Sequence, residues 1–230
     1  MIKQFSLSEL FAEFIGSMFL VMAAISSMIL FTSVFESTKG VAVFANAIAV
    51  AFVLCALIEI FAPVSGAHFN PVITLVMVFE RKIKVVKATL FILCQIVGGI
   101  TGTAISRLMF LSDVGSILSV SNTVRNDYVY IGEVVGTFIL VLAILMLIKT
   151  KSKKIPIIIG LLVGGQLMAT SSTMFANPQV TIARMFTNSA SGIRPIDGLI
   201  FIAMQIVGAL LAYMVYKFIF SKNTYVTEEK

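Results

Sequence analysis

The 230-residue chain is 59% hydrophobic and 12% charged, with a net charge of +6. This composition excludes a soluble globular core and fits several apolar helices in a bilayer. Nor is the positive balance a nucleic-acid signature, because the bases fall in short segments beside apolar stretches, where positive-inside sorting puts them.

In chain order the apolar pattern predicts six spans, at about 8–32, 41–62, 86–109, 128–149, 155–173 and 196–220. The first runs from Leu10 to about Phe31, long enough to cross and without a small-residue cleavage site, so it reads as a transmembrane helix rather than a signal peptide. Cys55 and Cys94 fall inside apolar spans and suggest neither a disulfide nor a metal site.

Between spans two and three stands Ser65-Gly66-Ala67-His68-Phe69-Asn70-Pro71. Asn is a strong N-cap and Pro suits the first helical position, so a helix begins here. Its apolar run ends at Glu80-Arg81-Lys82 after about 13 Å, roughly half of a ~30 Å hydrocarbon core. A second such start, Ala176-Asn177-Pro178, opens a short helix predicted over 177–187. A backbone that breaks at membrane depth must be buried in protein or line a water-filled cavity, so two half-helices point to a pore.

The segment from Arg107 to Asp127, richer in Ser, Asn and Asp, joins two halves at about 1–109 and 128–220 of a single channel domain, 1–230. Those halves repeat. Glu13 in Ala12-Glu13-Phe14-Ile15-Gly16 matches Glu133 in Gly132-Glu133-Val134-Val135-Gly136, and Gln95-Ile96-Val97-Gly98 recurs as Gln205-Ile206-Val207-Gly208. Three full spans per half make the repeats inverted, related by a pseudo-two-fold in the membrane plane, with both Asn-Pro caps near the midplane. Cytoplasmic termini put Lys3, Arg81, Lys82, Lys84, Lys87, Lys149, Lys151, Lys153, Lys154, Lys217, Lys222 and Lys230 inside. Only Lys39, Arg107, Arg125, Arg184 and Arg194 then lie outside, a bias that supports this orientation.

Glu13 and Glu133 are intramembrane carboxylates, hence functional candidates. A broken helix needs acceptors for its free N–H groups, however, and a buried carboxylate supplies them, so the structural role is preferred to a proton relay. Glu59, without a repeat partner, reads as a snorkelling or vestibule residue. His68 is the only histidine, so no catalytic triad or multi-histidine metal site can be assembled and no enzyme is expected. It either lines the inner vestibule or bonds neighbouring backbone, the second being preferred. Gly98/Gly102 and Gly160/Gly164 have the small-xxx-small spacing of close helix crossings.

Ser-Gly-Ala-His-x-Asn-Pro, the second Ala-Asn-Pro and the duplicated glutamate and glutamine spans together resemble the aquaporin (major intrinsic protein) family over nearly the whole chain. The resemblance implies an all-α fold of six transmembrane helices plus two re-entrant half-helices. It further implies a homotetramer in a cell membrane with one pore per subunit and no cofactor. Asn70 and Asn177 would donate to a single file of water or small neutral solutes. Independently of the family, two positive half-helix ends aimed at the pore centre repel cations and orient water.

The chain departs from the family pattern at Val72 and Gln179, where Ala is usual; Gln179 either narrows the central constriction or packs behind it. Counting the family's second filter from the asparagines gives Val50, Gly165, Met174 and Val180. The last usually carries arginine. Arg184 stands four residues further, on the same helical face but one turn outward, at the outer vestibule. A ring of Val, Gly, Met and Val is wider and less polar than a strict water filter, so glycerol-type polyols and neutral hydroxides such as arsenous acid are expected permeants. Asn177-Pro178-Gln179-Val180-Thr181 is similar to the second motif of an arsenic-associated bacterial branch. Two rival readings are a secondary transporter, which also uses broken helices and inverted repeats, and a non-conducting membrane scaffold plugged by Gln179.

Overall fold

The computed structural model describes residues 6–125 and 128–221; Lys3, Asp127, Lys222 and Lys230 therefore lie outside the described residues. Helix α1 (Leu7–Ile29) opens on a reciprocal cap: Ser6 Oγ accepts from Glu9 N at 3.3 Å, and the Glu9 carboxylate accepts from Ser6 N at 2.9 Å. Past Ile29 it widens into a π-helical turn, Leu30–Val34. Helix α2 (Lys39–Ser65), capped by Thr38, carries Pro63 into its last turn and runs beyond the predicted end at 62. It stops at Gly66, whose φ of 92° is left-handed and carries no Cβ penalty for glycine.

Half-helix α3 (Pro71–Phe79) is followed by α4 (Val85–Met109), a single turn α5 (Leu111–Val114), α6 (Val129–Lys149), α7 (Ile155–Ala169), half-helix α8 (Pro178–Arg184) and α9 (Pro195–Ser221). All regular structure among the described residues is helical. Helices α1, α2, α4, α6 and α9 are long and apolar enough to cross a membrane. The fifth predicted span is shorter than expected: α7 has 15 residues, about 22 Å, and Thr170 turns extended. Half-helix α8 likewise ends at Arg184 rather than 187.

The helices pair where small residues let backbones meet. On α4, a Cβ added to Gly98 or Gly102 would collide with the carbonyl of Phe14 or Met18 on α1. Gly208 of α9 lies against Val134 O of α6 in the same way, and Gly160 and Gly164 of α7 meet Ala51 and Ala47 of α2. Both predicted glycine pairs thus sit at close crossings. Between the crossings one apolar cluster, including Val21, Ile25, Leu54, Val72, Val76, Val141 and Leu145, surrounds the half-helices.

The connector between the halves is held by Arg107, whose place among the outer charges gives no sign of this role. Arg107, 1% exposed, donates to Ser116 O at 2.8 Å, Val114 O at 3.1 Å, Ser116 Oγ at 2.8 Å and Thr187 Oγ1 at 3.0 Å. Ser119 N and Ser121 N then donate to Phe186 O and Met185 O, laying the connector over the C-terminal end of α8.

Candidate functional site

Each half-helix starts as its residues require. Asn70 Oδ1 accepts from Val72 N at 3.0 Å and Asn177 Oδ1 from Gln179 N at 3.1 Å, so each asparagine caps its own helix with its carbonyl and keeps its amide free. Those amides cross. Asn70 Nδ2 donates to Ala176 O, the carbonyl just before the other asparagine, and Asn177 Nδ2 donates to Phe69 O, both at 2.8 Å. Since an amide has two protons, each asparagine retains one donor.

Behind this pair the duplicated carboxylates meet the broken backbone. Glu13, fully buried, accepts from His68 N at 3.0 Å, Phe69 N at 2.8 Å, Ser65 Oγ at 2.6 Å and Gln95 Nε2 at 2.8 Å. Glu133, equally buried, accepts from Phe175 N and Ala176 N, both at 2.9 Å, and from Gln205 Nε2. Gln95 and Gln205 also donate to Thr74 and Thr181, each four residues beyond its asparagine. The left-handed residues Ala67, Phe69, Thr173, Met174 and Ala176 are the strained turns that these acceptors hold.

Along the axis lies a cavity with about 80 Å³ open to the centre of a water molecule, lined by Asn70, Asn177, Phe69, Ala176 and apolar side chains. At ~10–15 Å³ per water by that measure, it holds a short file. Of the four positions reached by counting, Val50, Met174 and Val180 line it. Gly165 does not: it is exposed on the outer side of α7, where a Cβ would meet nothing. The pore face of α7 carries Ile159, Val163 and Leu167 instead, at the i, i+4, i+8 spacing of one helix face.

His68 lines both this cavity and a wider vestibule of about 460 Å³ that also reaches Lys82 and Ser152. Its Nδ1 is 3.1 Å from Thr74 Oγ1, so its ring bonds a side chain and faces the vestibule, against the preference for a backbone partner. Glu59 is exposed beside Lys153 and Lys154 in a separate groove between α2 and α7, away from the pore.

At the other end Arg184, 3% exposed, lines the cavity with its guanidinium carbon 4.1 Å from the Phe175 ring centre, and its Nε has no hydrogen-bond partner among the described residues. Arg125 stands 4.9 Å from the same ring and donates to Gly192 O, Ala190 O and Ser172 O. Neither the Phe175 platform nor the bracing by Arg125 is legible in the motif itself; two arginines in an apolar chain are the signal that points to them.

The major intrinsic protein family profile matches residues 2–175. The chain is 37% identical over 202 residues to the aquaglyceroporin AqpS of Rhizobium meliloti (strain 1021), covering 87% of this chain and 85% of that protein. To aquaporin-1 of Mus musculus it is 31% identical over 175 residues, 70% of this chain and 62% of that protein. The X-ray structure of the aquaglyceroporin from Plasmodium falciparum shares the fold, with a TM-score of 0.65 at 17% identity over 94% of this chain and 96% of that one.

Proposed function

The chain belongs to the major intrinsic protein family and is a passive membrane channel for water and small neutral solutes; we propose that Asn70 and Asn177 form its central constriction and that its solutes include glycerol-type polyols and neutral metalloid acids. The observation that carries this reading is the reciprocal bonding of the two asparagines at the cavity. It leaves one amide proton on each for a passing oxygen, at the point where the N-termini of α3 and α8 raise the potential against cations.

The outer narrowing is assigned to Val50, Met174 and Val180, with Leu167 in place of Gly165 and Arg184 at the mouth. This ring offers width and little hydrogen bonding, which suits compact neutral hydroxides. Glu13 and Glu133 act as structural acceptors. The channel works as a homotetramer in the cytoplasmic membrane, with the Lys149–Lys154 loop and both termini cytoplasmic; the basic clustering supports that orientation. The two halves act as inverted repeats, a reading supported by the matched Glu13 and Glu133 bonds.

Stopped-flow light scattering on proteoliposomes tests the reading, comparing water, glycerol, urea and arsenous acid. Non-saturating flux of water and at least one larger solute is expected. Saturable, ion-coupled uptake would establish a transporter, and unchanged permeability a scaffold. Asn70→Asp and Asn177→Asp keep the cap but lose the donor while ionised, so neutral-solute flux should fall severalfold at normal expression. Unchanged flux in both removes the constriction assignment.

A further inference from the structure

Gln179 is fully buried, yet it is not among the residues lining the cavity. Its Nε2 donates at 3.2 Å to Phe69 O, the same carbonyl that accepts from Asn177 Nδ2 at 2.8 Å. Its Oε1 has no hydrogen-bond partner among the described residues and points at Gly99 of α4, where any Cβ would collide with it. The side chain therefore packs behind the pore, as one of the two alternatives read from the sequence has it, but with one end on a pore carbonyl.

The other half of the chain provides the comparison. Val72 occupies the position equivalent to Gln179, and Ala209, which follows the repeated Gln-Ile-Val-Gly, is equivalent to Gly99. Val72 and Ala209 are both buried in the central apolar cluster. Gln179 of the second half thus meets Gly99 of the first, and the equivalent pair across the pseudo-two-fold is Val72 of the first half with Ala209 of the second, a matched exchange of size. The equivalent carbonyl across from the Val72 half-helix differs accordingly: Ala176 O accepts one side-chain donor, Asn70 Nδ2.

A carbonyl oxygen has two lone pairs. The Phe69 ring packs into α1 against Gly16 and stands edge-on to Phe61, so it is the Phe69 backbone that faces the cavity. With Asn177 and Gln179 both donating, that carbonyl is saturated, whereas Ala176 O keeps one lone pair for a permeant. A polar amide at a wholly buried site, with one end unpaired, is a costly way to fill space that Val fills in the other half.

We infer that Gln179 is a specificity-determining residue, which occupies the free lone pair of Phe69 O and so deprives the pore centre of one of its two acceptors for solute hydroxyls. The inference rests on the asparagine constriction proposed above. Water is affected less, because in a file it donates its hydrogen bonds to neighbouring waters; a polyol's hydroxyls are fixed on carbon and depend on acceptors in the wall. Gln179 thereby shifts the channel from polyols towards water and compact hydroxides.

Two variants test this in proteoliposomes, with water and glycerol flux measured on the same preparation. Gln179→Val together with Gly99→Ala copies the equivalent pair, Val72 with Ala209, and Gln179→Met removes the N–H while keeping the volume, so the second decides if the first does not fold. Both should raise the glycerol-to-water flux ratio by roughly two- to tenfold, the range set by regaining one hydrogen bond. An unchanged or lower ratio in Gln179→Met, with Asn70→Asp or Asn177→Asp lowering flux severalfold, overturns the specificity role and leaves the constriction standing. Unimpaired flux in both Asn70→Asp and Asn177→Asp overturns both.

Discussion

Val180 and Arg184 both line the central cavity and stand one helical turn apart on α8, so the position of the filter's charge is a question of about 6 Å along one helix face. Val180 lies nearer Asn177, where the cavity is walled by Val50 and Met174, whereas the Arg184 guanidinium rests on Phe175. Val180→Arg places five N–H donors and a cation in an otherwise apolar ring. Glycerol and arsenous acid flux should fall severalfold more than water flux, because water fits the narrower, more polar ring. Arg184→Val should alter that ratio less. A larger selectivity change at Arg184 than at Val180, in one liposome assay, would move the filter to the outer residue. Gly165, unlike the other counted positions, is not among the residues that line the cavity, and the cause is plain. Gly165 is two residues from Val163 and two from Leu167, about 200° around the helix in either direction, and so faces away from the pore that those two line. Counting from Asn177 without gaps keeps the family's fixed spacing, whereas α7 stops at Ala169 and not at the expected 173.

At the scale of elements, the two half-helices were legible because cap chemistry is local: Asn at the N-cap and Pro at the next residue specify a start wherever the chain then goes. The duplicated glutamates and glutamines were legible as repeats, while the threonines that link them, Thr74 and Thr181, were not, because a hydroxyl in a helix signals nothing until its partner is known. Glu13 shows what these partners supply, with four donors converging on two oxygens. Glu13→Gln replaces one acceptor oxygen with an NH₂ directed at backbone N–H groups, and Glu133→Gln does the same. Each lost charged acceptor costs about 1.5–3 kcal/mol. The expected result is a lower yield of folded protein and a lower melting temperature in detergent, with flux per folded channel changed less. Normal yield and stability combined with a lost pH dependence of flux would assign the carboxylates to proton transfer instead.

Across the whole molecule, the helix pairs α1–α4 and α6–α9 close within each half, whereas α2–α7, α4–α8 and α3–α9 join the halves. The asparagine amides make the same join at the centre, to carbonyls 106 and 108 residues away in sequence. Neither half alone can satisfy its own asparagine or wall the cavity, since Val50 and Asn70 come from one half and Met174, Asn177 and Val180 from the other. The covalent link contributes less. Arg107 holds the connector up to Ser116 to the first half, and Ser119, Ser121 and Thr123 bond residues 185, 186 and 194 of the second, so the exposed Ile117–Leu118 bond lies between two anchored stretches. A chain split there and expressed as two pieces should reassemble, because the contacts that make the pore are non-covalent; the Arg107–Thr187 bond forms across the cut together with the asparagine bonds and the helix contacts between the halves. Co-expressed pieces should co-purify and restore glycerol flux in liposomes, and either piece alone should give none. Flux from a single piece would mean that one half builds a pore with copies of itself, and a stable but non-conducting pair would mean that connector continuity is needed to hold the asparagines in register.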